Sequence, residues 1–235
     1  MISKIQLISC PCLPFESLKE FRDYFYESLK NKRGGFSLAV NAEKIIRIDE
    51  DQEFYALAQQ ATYPIIDGVG AQLVSFFKHS NTLTKINLPI ESLIAANKFS
   101  LKLFLLGATE PVNEKSAAEI QHKYPAINLI GRRNGYDLDI KRLISDLKQY
   151  KPDMVLVAMG SPRQEKLALK LSIVFPEICF IGCGGALDVL AGEVTRAPLI
   201  IQKSGFEWLY RLIQNPSRIK RQIKLPKIFW LLLTK

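Results

Sequence analysis

The chain has 235 residues, of which 48% are hydrophobic, and a formal net charge of +9. This composition is typical of one sizeable globular domain with an appendage, and it excludes a chain too polar to fold. Most of the charge lies at the end of the chain, because residues 196–235 contain nine Lys or Arg and a single acid, Glu207. Such a segment is typical of proteins that bind an anionic partner, either membrane lipid or nucleic acid.

The cysteines and the apolar runs limit the remaining classes. The four cysteines, Cys10, Cys12, Cys179 and Cys183, lack the nearby His or Cys partners of a structural zinc site, so we expect reduced thiols and no zinc. The first apolar run is short and interrupted by prolines, and we expect no signal peptide. The longest late apolar run, residues 228–233, is too short to span a bilayer. The pattern predicts a protein that can touch a membrane but does not span it.

The first hundred residues alternate between strand and helix patterns with little regularity. The predicted strands are residues 36–40 and 63–66, and the predicted helices are residues 51–62 and 69–78. This part either extends the same sheet as the rest of the chain or forms a small lobe beside it.

Beyond residue 100 the alternation becomes regular. The predicted strands are residues 102–107, 127–130, 154–158 and 178–181, and the predicted helices are residues 112–124, 139–150, 162–174 and 186–191, with a turn at 131–135. Strands joined by crossover helices form parallel sheets, so the sequence predicts an α/β fold, a Rossmann-like parallel sheet with helices on both faces. We place the end of this α/β domain at residue 195 and expect residues 196–235 to form a small helical appendage that binds membrane.

Almost every predicted strand ends in glycine. Open α/β sheets bind ligands beyond the carboxyl ends of their strands. The residues there are Asn41 and the segments 67–70, 107–109, 131–135, 160–162 and 182–185. Glycine lets backbone N–H groups approach a phosphate, and helix N-termini attract negative charge. The pattern favours a phosphorylated ligand, and the alternative is a set of tight turns without a ligand.

Asp67 directly follows a mostly buried strand and faces this edge of the sheet. A carboxylate there can accept the proton of a sugar hydroxyl, which is a poor nucleophile until it is deprotonated. On geometry alone, an N-cap for the helix at 69–78 is equally plausible. Gln164 and Glu165 either bind substrate hydroxyls or cap their helix, and the sequence does not decide between these roles.

Two pairs of aspartates, Asp49 with Asp51 and Asp137 with Asp139, resemble the spaced carboxylates that hold a metal on a diphosphate. Each pair precedes a predicted helix, where the helix dipole favours acidic side chains in any case. We favour this second interpretation.

Several strings, taken together and in order, resemble the WecG/TagA/CpsF family of bacterial glycosyltransferases, also called glycosyltransferase family 26. They are Asn-Ala-Glu at 41–43, Asp-Gly-Val-Gly at 67–70, Leu-Gly at 106–107, Gly at 131 with Asn-Gly-Tyr at 134–136, Gly-Ser-Pro-Arg-Gln-Glu at 160–165, Gly-Cys-Gly-Gly-Ala-Leu-Asp-Val-Leu-Ala-Gly at 182–192, Arg-Ala-Pro at 196–198 and Glu-Trp-Leu-Tyr-Arg-Leu at 207–212. The ordered set is specific, although each string is short.

The resemblance implies an inverting enzyme that moves an N-acetylmannosamine-type sugar, or its uronic acid, from UDP to an undecaprenyl-diphosphate-linked amino sugar in cell-surface polysaccharide synthesis. It implies Asp67 as the catalytic base, no metal or other cofactor, and arginines that close over the donor diphosphate. The candidate substrate-binding residues, from the resemblance and the strand ends together, are Asn41, Gly68, Gly107, Asn134, Gly135, Tyr136, Gly160, Pro162, Gln164, Glu165, Gly184, Gly185, Asp188, Arg211, Arg218 and Arg221.

The partners implied by the resemblance are the UDP-sugar, the lipid-linked acceptor and an anionic membrane surface. It implies a cytoplasmic protein, peripheral on the inner face of the cell membrane, with no nucleic acid partner and with homo-oligomerisation left open. The chain departs from the family pattern at Ala39, where threonine is frequent, at Leu187, where phenylalanine is usual, and at residues 85–91, which lack a glycine-aspartate string. The last segment falls near the implied acceptor contact.

Other classes fit the residues less well. A nicotinamide dehydrogenase needs a third glycine after Gly68 and Gly70, and Leu73 stands there. A methyltransferase normally opens its fold with the cofactor loop, whereas the Gly182–Gly185 loop comes late. The alternative from another class is a non-enzymatic basic adaptor with a Rossmann-like core that binds membrane or nucleic acid.

Overall fold

The structure is a computed structural model that describes residues 2–136, 138–195, 198, 210 and 225–234. Its strands are β1 (Ile5–Leu7), β2 (Cys10–Cys12), β3 (Gly35–Val40), β4 (Tyr63–Ile66), β5 (Lys102–Gly107), β6 (Asn128–Arg133), β7 (Met154–Ala158) and β8 (Cys179–Gly182). Its helices are α1 (Leu18–Lys30), α2 (Ala42–Glu50), α3 (Gln52–Gln59), α4 (Val69–His79), α5 (Leu88–Lys98), α6 (Glu110–Lys123), α7 (Ile140–Tyr150), α8 (Arg163–Val174), α9 (Ala186–Leu190) and α10 (Lys227–Thr234).

The central sheet has six strands in the order β4-β3-β8-β7-β5-β6, and every neighbouring pair is parallel. The predicted Rossmann-like sheet is confirmed. β3 and β4 belong to this sheet, so the first hundred residues extend it and do not form a separate lobe. β1 and β2 form a small antiparallel hairpin, and the chain that leaves it is held to β4 by the hydrogen bond from Leu13 N to Pro64 O at 2.9 Å.

The sheet is buried on both faces. In β7, Val155 and Val157 pack into one apolar cluster, and Met154 and Leu156 pack into the other. The first cluster contains side chains of α2, α3, α4, α7, α8 and α10, and the second contains side chains of α1, α5, α6 and α9. Strands covered in this way have nearly continuous apolar sequences, which explains why β5 and β7 were predicted from sequence.

One predicted turn is wrong in part. Residues 131–133 continue β6, and only Asn134 and Gly135 leave the strand. A Cβ atom on Gly131 would lie 2.7 Å from Cε2 of Phe104, a buried residue of the neighbouring strand. The glycine that suggested a turn is therefore a packing requirement inside the sheet.

The last helix packs on the domain. Ile228 and Leu231 of α10 are buried in the first apolar cluster, next to α2 and α4. Nζ of Lys227 lies 2.9 Å from Oε1 of Glu50 in α2. Most of the predicted appendage at 196–235 lies outside the described residues, so its boundary stays a prediction. Within the described part of the chain, no helix has the length and apolar character needed to cross a bilayer.

Candidate active site

The parallel topology brings the predicted site residues to one edge of the sheet. Asn41 follows β3, Asp67 and Gly68 follow β4, Gly107 ends β5, Asn134, Gly135 and Tyr136 follow β6, Gly160 and Pro162 follow β7, and Gly184 and Gly185 follow β8. The predicted arginines Arg211, Arg218 and Arg221 lie outside the described residues. The sheet order places the loops of β3, β8 and β7 between Asp67 on one side and Gly107 with Asn134 on the other.

Asp67 and Asn41 lie on adjacent loops. The backbone N–H of Asp67 donates to Val40 O at 2.8 Å, and a Cβ atom on Gly68 would lie 3.8 Å from Cβ of Asn41. Asp67 is exposed. The N-cap residue of α4 is Gly68, so Asp67 lies one residue before the N-cap position that the alternative gave it. An exposed carboxylate at the ligand-binding edge of an α/β sheet can accept a proton from a bound substrate.

Several helices that start at this edge lack a side-chain cap. α4, α6, α8 and α9 begin after Gly68, Thr109, Pro162 and Gly185 without a capping side-chain hydrogen bond. α2 and α7, by contrast, are capped by Asn41 and Asp139. First-turn N–H groups that no side chain caps are suited to bind an anion. This arrangement supports the predicted phosphorylated ligand.

The end of β5 is closely packed against β7. A Cβ atom on Gly107 would lie 2.2 Å from Ala158 O, and φ of Gly107 is +115°, so only glycine fits there. The buried side chain of Asn113 in α6 donates to Gly107 O at 2.8 Å and to Arg133 O at 3.1 Å. Asn113 thus ties the ends of β5 and β6 together. Asn113 was not among the residues predicted from sequence, although a polar residue in the buried stripe of α6, near Ser116, was a usable signal.

The loop after β6 presents an aromatic ring. The N–H of Gly135 donates to Ala108 O at 2.9 Å, and Oδ1 of Asn134 accepts from the Tyr136 N–H at 3.0 Å. Nδ2 of Asn134 donates to Oε2 of Glu110 at 3.1 Å. A hydrogen bond from Arg132, and then that from Asn134, lowers the pKa of Glu110. The Tyr136 side chain is 74% exposed, so its ring is available to a ligand while its backbone is held.

Gln164 and Glu165, in the first turn of α8, connect that helix to the loop after β8 and to α2. Oε1 of Gln164 accepts from Gly184 N at 3.1 Å, and Nε2 of Gln164 donates to Oε1 of Glu165 at 3.2 Å. The same Glu165 oxygen lies 2.7 Å from Nζ of Lys44 in α2. Both residues are buried, and their contact with a substrate stays a prediction. Lys44 was not among the residues predicted from sequence.

The buried pair of Lys44 and Glu165 favours the ionised form of the Glu165 carboxyl group. Burial raises the pKa of Glu165, but the positive charge of Lys44 and the hydrogen bonds from Lys44 and Gln164 outweigh it and leave that pKa below its ordinary value. Glu165 is therefore ionised near neutral pH and is paired with the Lys44 ammonium group. Because Lys44 follows Asn41 by three residues and its N–H donates to Asn41 Oδ1 at 3.0 Å, the pair links the Asn41 loop to Gln164.

The cysteines do not supply a nucleophile. Cys10, Cys12, Cys179 and Cys183 are buried free thiols, as predicted. Cys183 lies beside Gly184, and burial raises its pKa to about 12. A thiol attacks as a thiolate, so Cys183 is unreactive near neutral pH.

The predicted site residue Asp188 lies in α9. Its backbone carbonyl oxygen accepts from the N–H groups of Glu193 and Val194 at 3.0 and 3.2 Å, which orders the turn after that helix.

One described member of each aspartate pair caps the start of a helix. Asp51 caps α3 through the Phe54 N–H at 3.0 Å, and Asp139 caps α7 through the N–H groups of Lys141 and Arg142. Asp49 is near the end of α2, a helix that starts at the cleft and runs away from it. Asp137 lies outside the described residues. Within the described ranges, no group of three or more His, Cys, Asp and Glu side chains is placed to hold a metal ion.

A parallel sheet covered on both faces, with an exposed carboxylate and uncapped helix starts at one edge, is typical of Rossmann-like enzymes that bind phosphorylated substrates. The chain belongs to the glycosyl transferase WecG/TagA/CpsF family, whose sequence pattern matches residues 8–235. The chain is similar to the N-acetylglucosaminyldiphosphoundecaprenol N-acetyl-beta-D-mannosaminyltransferase of Bacillus subtilis (strain 168). The two are 33% identical over 215 residues, which cover 90% of this chain and 84% of the relative. The predicted family and enzyme class are confirmed, and the adaptor alternative is not favoured.

Proposed function

We propose that this glycosyltransferase moves an N-acetylmannosamine-type sugar from UDP to an undecaprenyl-diphosphate-linked amino sugar. The observation that carries the proposal is the similarity to the Bacillus subtilis enzyme over 90% of the chain. The strand-end geometry supports it, because the described family-motif residues after β3, β4, β6, β7 and β8 gather at one edge.

In the proposed reaction Asp67 is the general base. Its carboxylate accepts the proton of the acceptor hydroxyl as that oxygen forms a bond to the anomeric carbon of the donor. The bond from that carbon to the UDP oxygen breaks at the same time, and UDP leaves from the opposite side. A single displacement of this kind inverts the anomeric configuration. The exposed position of Asp67, directly after β4 at the ligand-binding edge of the sheet, supports this assignment.

The donor occupies the side of the cleft formed by the ends of β5, β6 and β7. Uncapped first-turn N–H groups of α6 and α8 are suited to the diphosphate, and the exposed Tyr136 ring is suited to stacking on a base. Arg211, Arg218 and Arg221 complete the diphosphate contacts by bidentate hydrogen bonds, so that no divalent cation is required. Asn41, Gly184 and Gln164 shape the side of the cleft next to Asp67.

The acceptor fixes the proposed location. A lipid-linked acceptor is held in a membrane, and the basic segment at 196–235 is suited to an anionic leaflet. We propose a cytoplasmic enzyme that is peripheral on the inner face of the cell membrane and does not bind nucleic acid. The oligomeric state is left open.

The test is a screen of UDP-sugars with a short-chain lipid-diphosphate amino sugar, with the product detected by mass spectrometry. We expect one UDP-sugar to give a disaccharide-lipid, and we expect Asp67→Asn to form it on the order of a hundred-fold or more slowly while it still binds UDP. A UDP-induced rise in the melting temperature supports an enzyme, because a ligand that binds only the folded state stabilises it. No transfer from any UDP-sugar, together with no response to UDP, would favour the adaptor.

A further inference from the structure

The helix that follows Asp67 is apolar on its outward face. Ala71, Val74 and Ser75 of α4 are buried against the core. On the opposite side of the helix, Val69, Leu73, Phe76 and Phe77 are 37%, 47%, 52% and 64% exposed. A surface helix normally carries polar residues on its outward face, and a helix with apolar residues on all sides is normally buried. The exposed apolar face of α4 is therefore unusual for a surface helix.

The last helix repeats this pattern. α10 buries Ile228 and Leu231, whereas Phe229, Trp230 and Leu233 on its other side are 62%, 57% and 87% exposed. α10 packs beside α4, where Nζ of Lys78 donates to Leu232 O at 3.3 Å. Two neighbouring helices therefore each expose large apolar side chains, and contiguous apolar patches on soluble proteins mark interaction sites.

We propose that the outward faces of α4 and α10 form one lipid-contacting surface that seats the cleft on an anionic bilayer. The inference rests on the proposed function and names the surface by which the enzyme meets its membrane-held acceptor. α4 begins two residues after Asp67 and, at eleven residues, is about 16 Å long. The apolar surface thus starts beside the catalytic base and continues along α4 towards α10.

The charge distribution selects lipid over a second copy of the chain. Lys78 lies on α4, and residues 196–235, which include α10, carry nine Lys or Arg against one Glu. Two copies that met through this surface would bring two strongly basic segments together. An anionic leaflet is complementary to the same segments, and each basic residue adds to attachment while apolar side chains enter the headgroup boundary.

The test compares Phe76→Gln/Phe77→Gln with Ile173→Gln. The first variant removes two exposed aromatic rings from α4 without adding charge. The control removes an exposed apolar side chain of α8, 71% exposed, that lies outside the proposed surface. Each protein is assayed for flotation with phosphatidylglycerol vesicles, for transfer to an undecaprenyl-linked acceptor in those vesicles, and for transfer to a short-chain acceptor in solution.

We expect the double variant to lose about ten-fold or more in vesicle partitioning and in transfer to the vesicle-held acceptor, because two apolar side chains no longer leave water. Transfer to the soluble acceptor should be unchanged, and the control should match the wild type in every assay. Unchanged partitioning of the double variant overturns the proposal. The proposal is also overturned if the wild-type protein is a dimer that does not bind vesicles and if the double variant is a monomer, since the surface then binds a second copy. Wild-type protein that partitions normally but transfers to neither acceptor refutes the proposed function and leaves the surface tested by flotation alone.

Discussion

Nζ of Lys44 lies 2.7 Å from Oε1 of Glu165, and the two side chains are only 6% and 1% exposed. The two residues are far apart in the chain and belong to α2 and α8, the helices that follow β3 and β7. Buried ion pairs add little net stability compared with apolar side chains of similar volume, because both ions lose their hydration. In this protein the ion pair fixes the position of a neighbouring side chain, since Glu165 also accepts a hydrogen bond from the Gln164 amide.

Removing one partner of this pair should be costly. Lys44→Met leaves the Glu165 carboxylate buried without its cation and is expected to lower the free energy of unfolding by about 3–5 kcal/mol. Lys44→Met/Glu165→Leu removes both charges and should recover most of that loss. Urea unfolding measures both values. Lys166→Met, which breaks the exposed pair with Glu53, is the control and should change stability by no more than about 1 kcal/mol.

The turnover of Lys44→Met/Glu165→Leu shows whether the ion pair positions active-site residues or only stabilises the fold. If the pair only stabilises the fold, a double variant as stable as the wild type should also be as active. We expect a lower kcat, because Gln164 loses the acceptor of its Nε2 hydrogen bond and α2 loses its link to α8. Equal kcat and KM in a stable double variant would contradict a positioning role.

Acid should weaken the fold through Glu165. Its pKa in the folded protein lies below the ordinary value of 4.5, because Lys44 outweighs the effect of burial. A lowered folded-state pKa contributes stability above the unfolded-state pKa, and this contribution is lost as the pH falls below about 4.5 and through the folded-state pKa. The free energy of unfolding should therefore decrease more steeply between about pH 5 and pH 3 in the wild type than in Lys44→Met/Glu165→Leu. Parallel pH profiles of the two proteins would show that Glu165 does not titrate in this way.

Asp67→Asn should abolish most turnover and preserve donor binding. Loss of a positioned general base lowers the rate by on the order of a hundred- to ten-thousand-fold. Initial rates give kcat, and calorimetric titration with UDP gives the donor affinity. Asp139→Asn removes a carboxylate that caps α7 but keeps an oxygen that can accept the same N–H groups, so it should change stability by no more than about 0.5 kcal/mol and leave turnover within a few-fold. Near-normal turnover of Asp67→Asn would reject the assignment.

Transfer should continue in excess chelator. Arg211, Arg218 and Arg221 are proposed to neutralise the leaving diphosphate, and guanidinium groups are suited to that role. The measurement is the initial rate with and without EDTA, and a triple Arg→Gln variant should lose activity under both conditions. Activity that vanishes with EDTA and returns with magnesium or manganese would make Asp137 and Asp139 the first residues to test.

Substitution of two leucines of α10 should have very different effects on the free energy of unfolding. Leu231 is fully buried between α10 and the core, whereas Leu233 is 87% exposed. Leu231→Ala should lower the free energy of unfolding by about 2–5 kcal/mol through lost burial and a residual cavity. Leu233→Ala should change it by no more than about 0.5 kcal/mol. Thermal or urea unfolding checks both, and equal small effects would mean that α10 does not pack on the domain in solution.

The sequence by itself determined the α/β class, the approximate positions of six of the eight strands in the described ranges, and the gathering of Asn41, Asp67, Gly107 and Gly184 at the carboxyl ends of parallel strands. Strand and helix periodicity are local properties, and glycine positions mark where chains turn. α2 was missed because Ile45, Ile46 and Ile48 have strand-like β-branched side chains, and the Asn41 cap and packing against β3 override that preference.

Only the tertiary structure decided the strand order, the burial of Gln164 and Glu165, the role of Asn113, and the strand conformation of Gly131. Each depends on which distant residues become neighbours. Glu165 forms an ion pair with Lys44, and Phe104 occupies the space beside Gly131. The carbonyl oxygens of Gly107 and Arg133 accept hydrogen bonds from the Asn113 amide. Sequence periodicity shows that a residue faces the core, but packing of helices on the assembled sheet fixes the group it meets there.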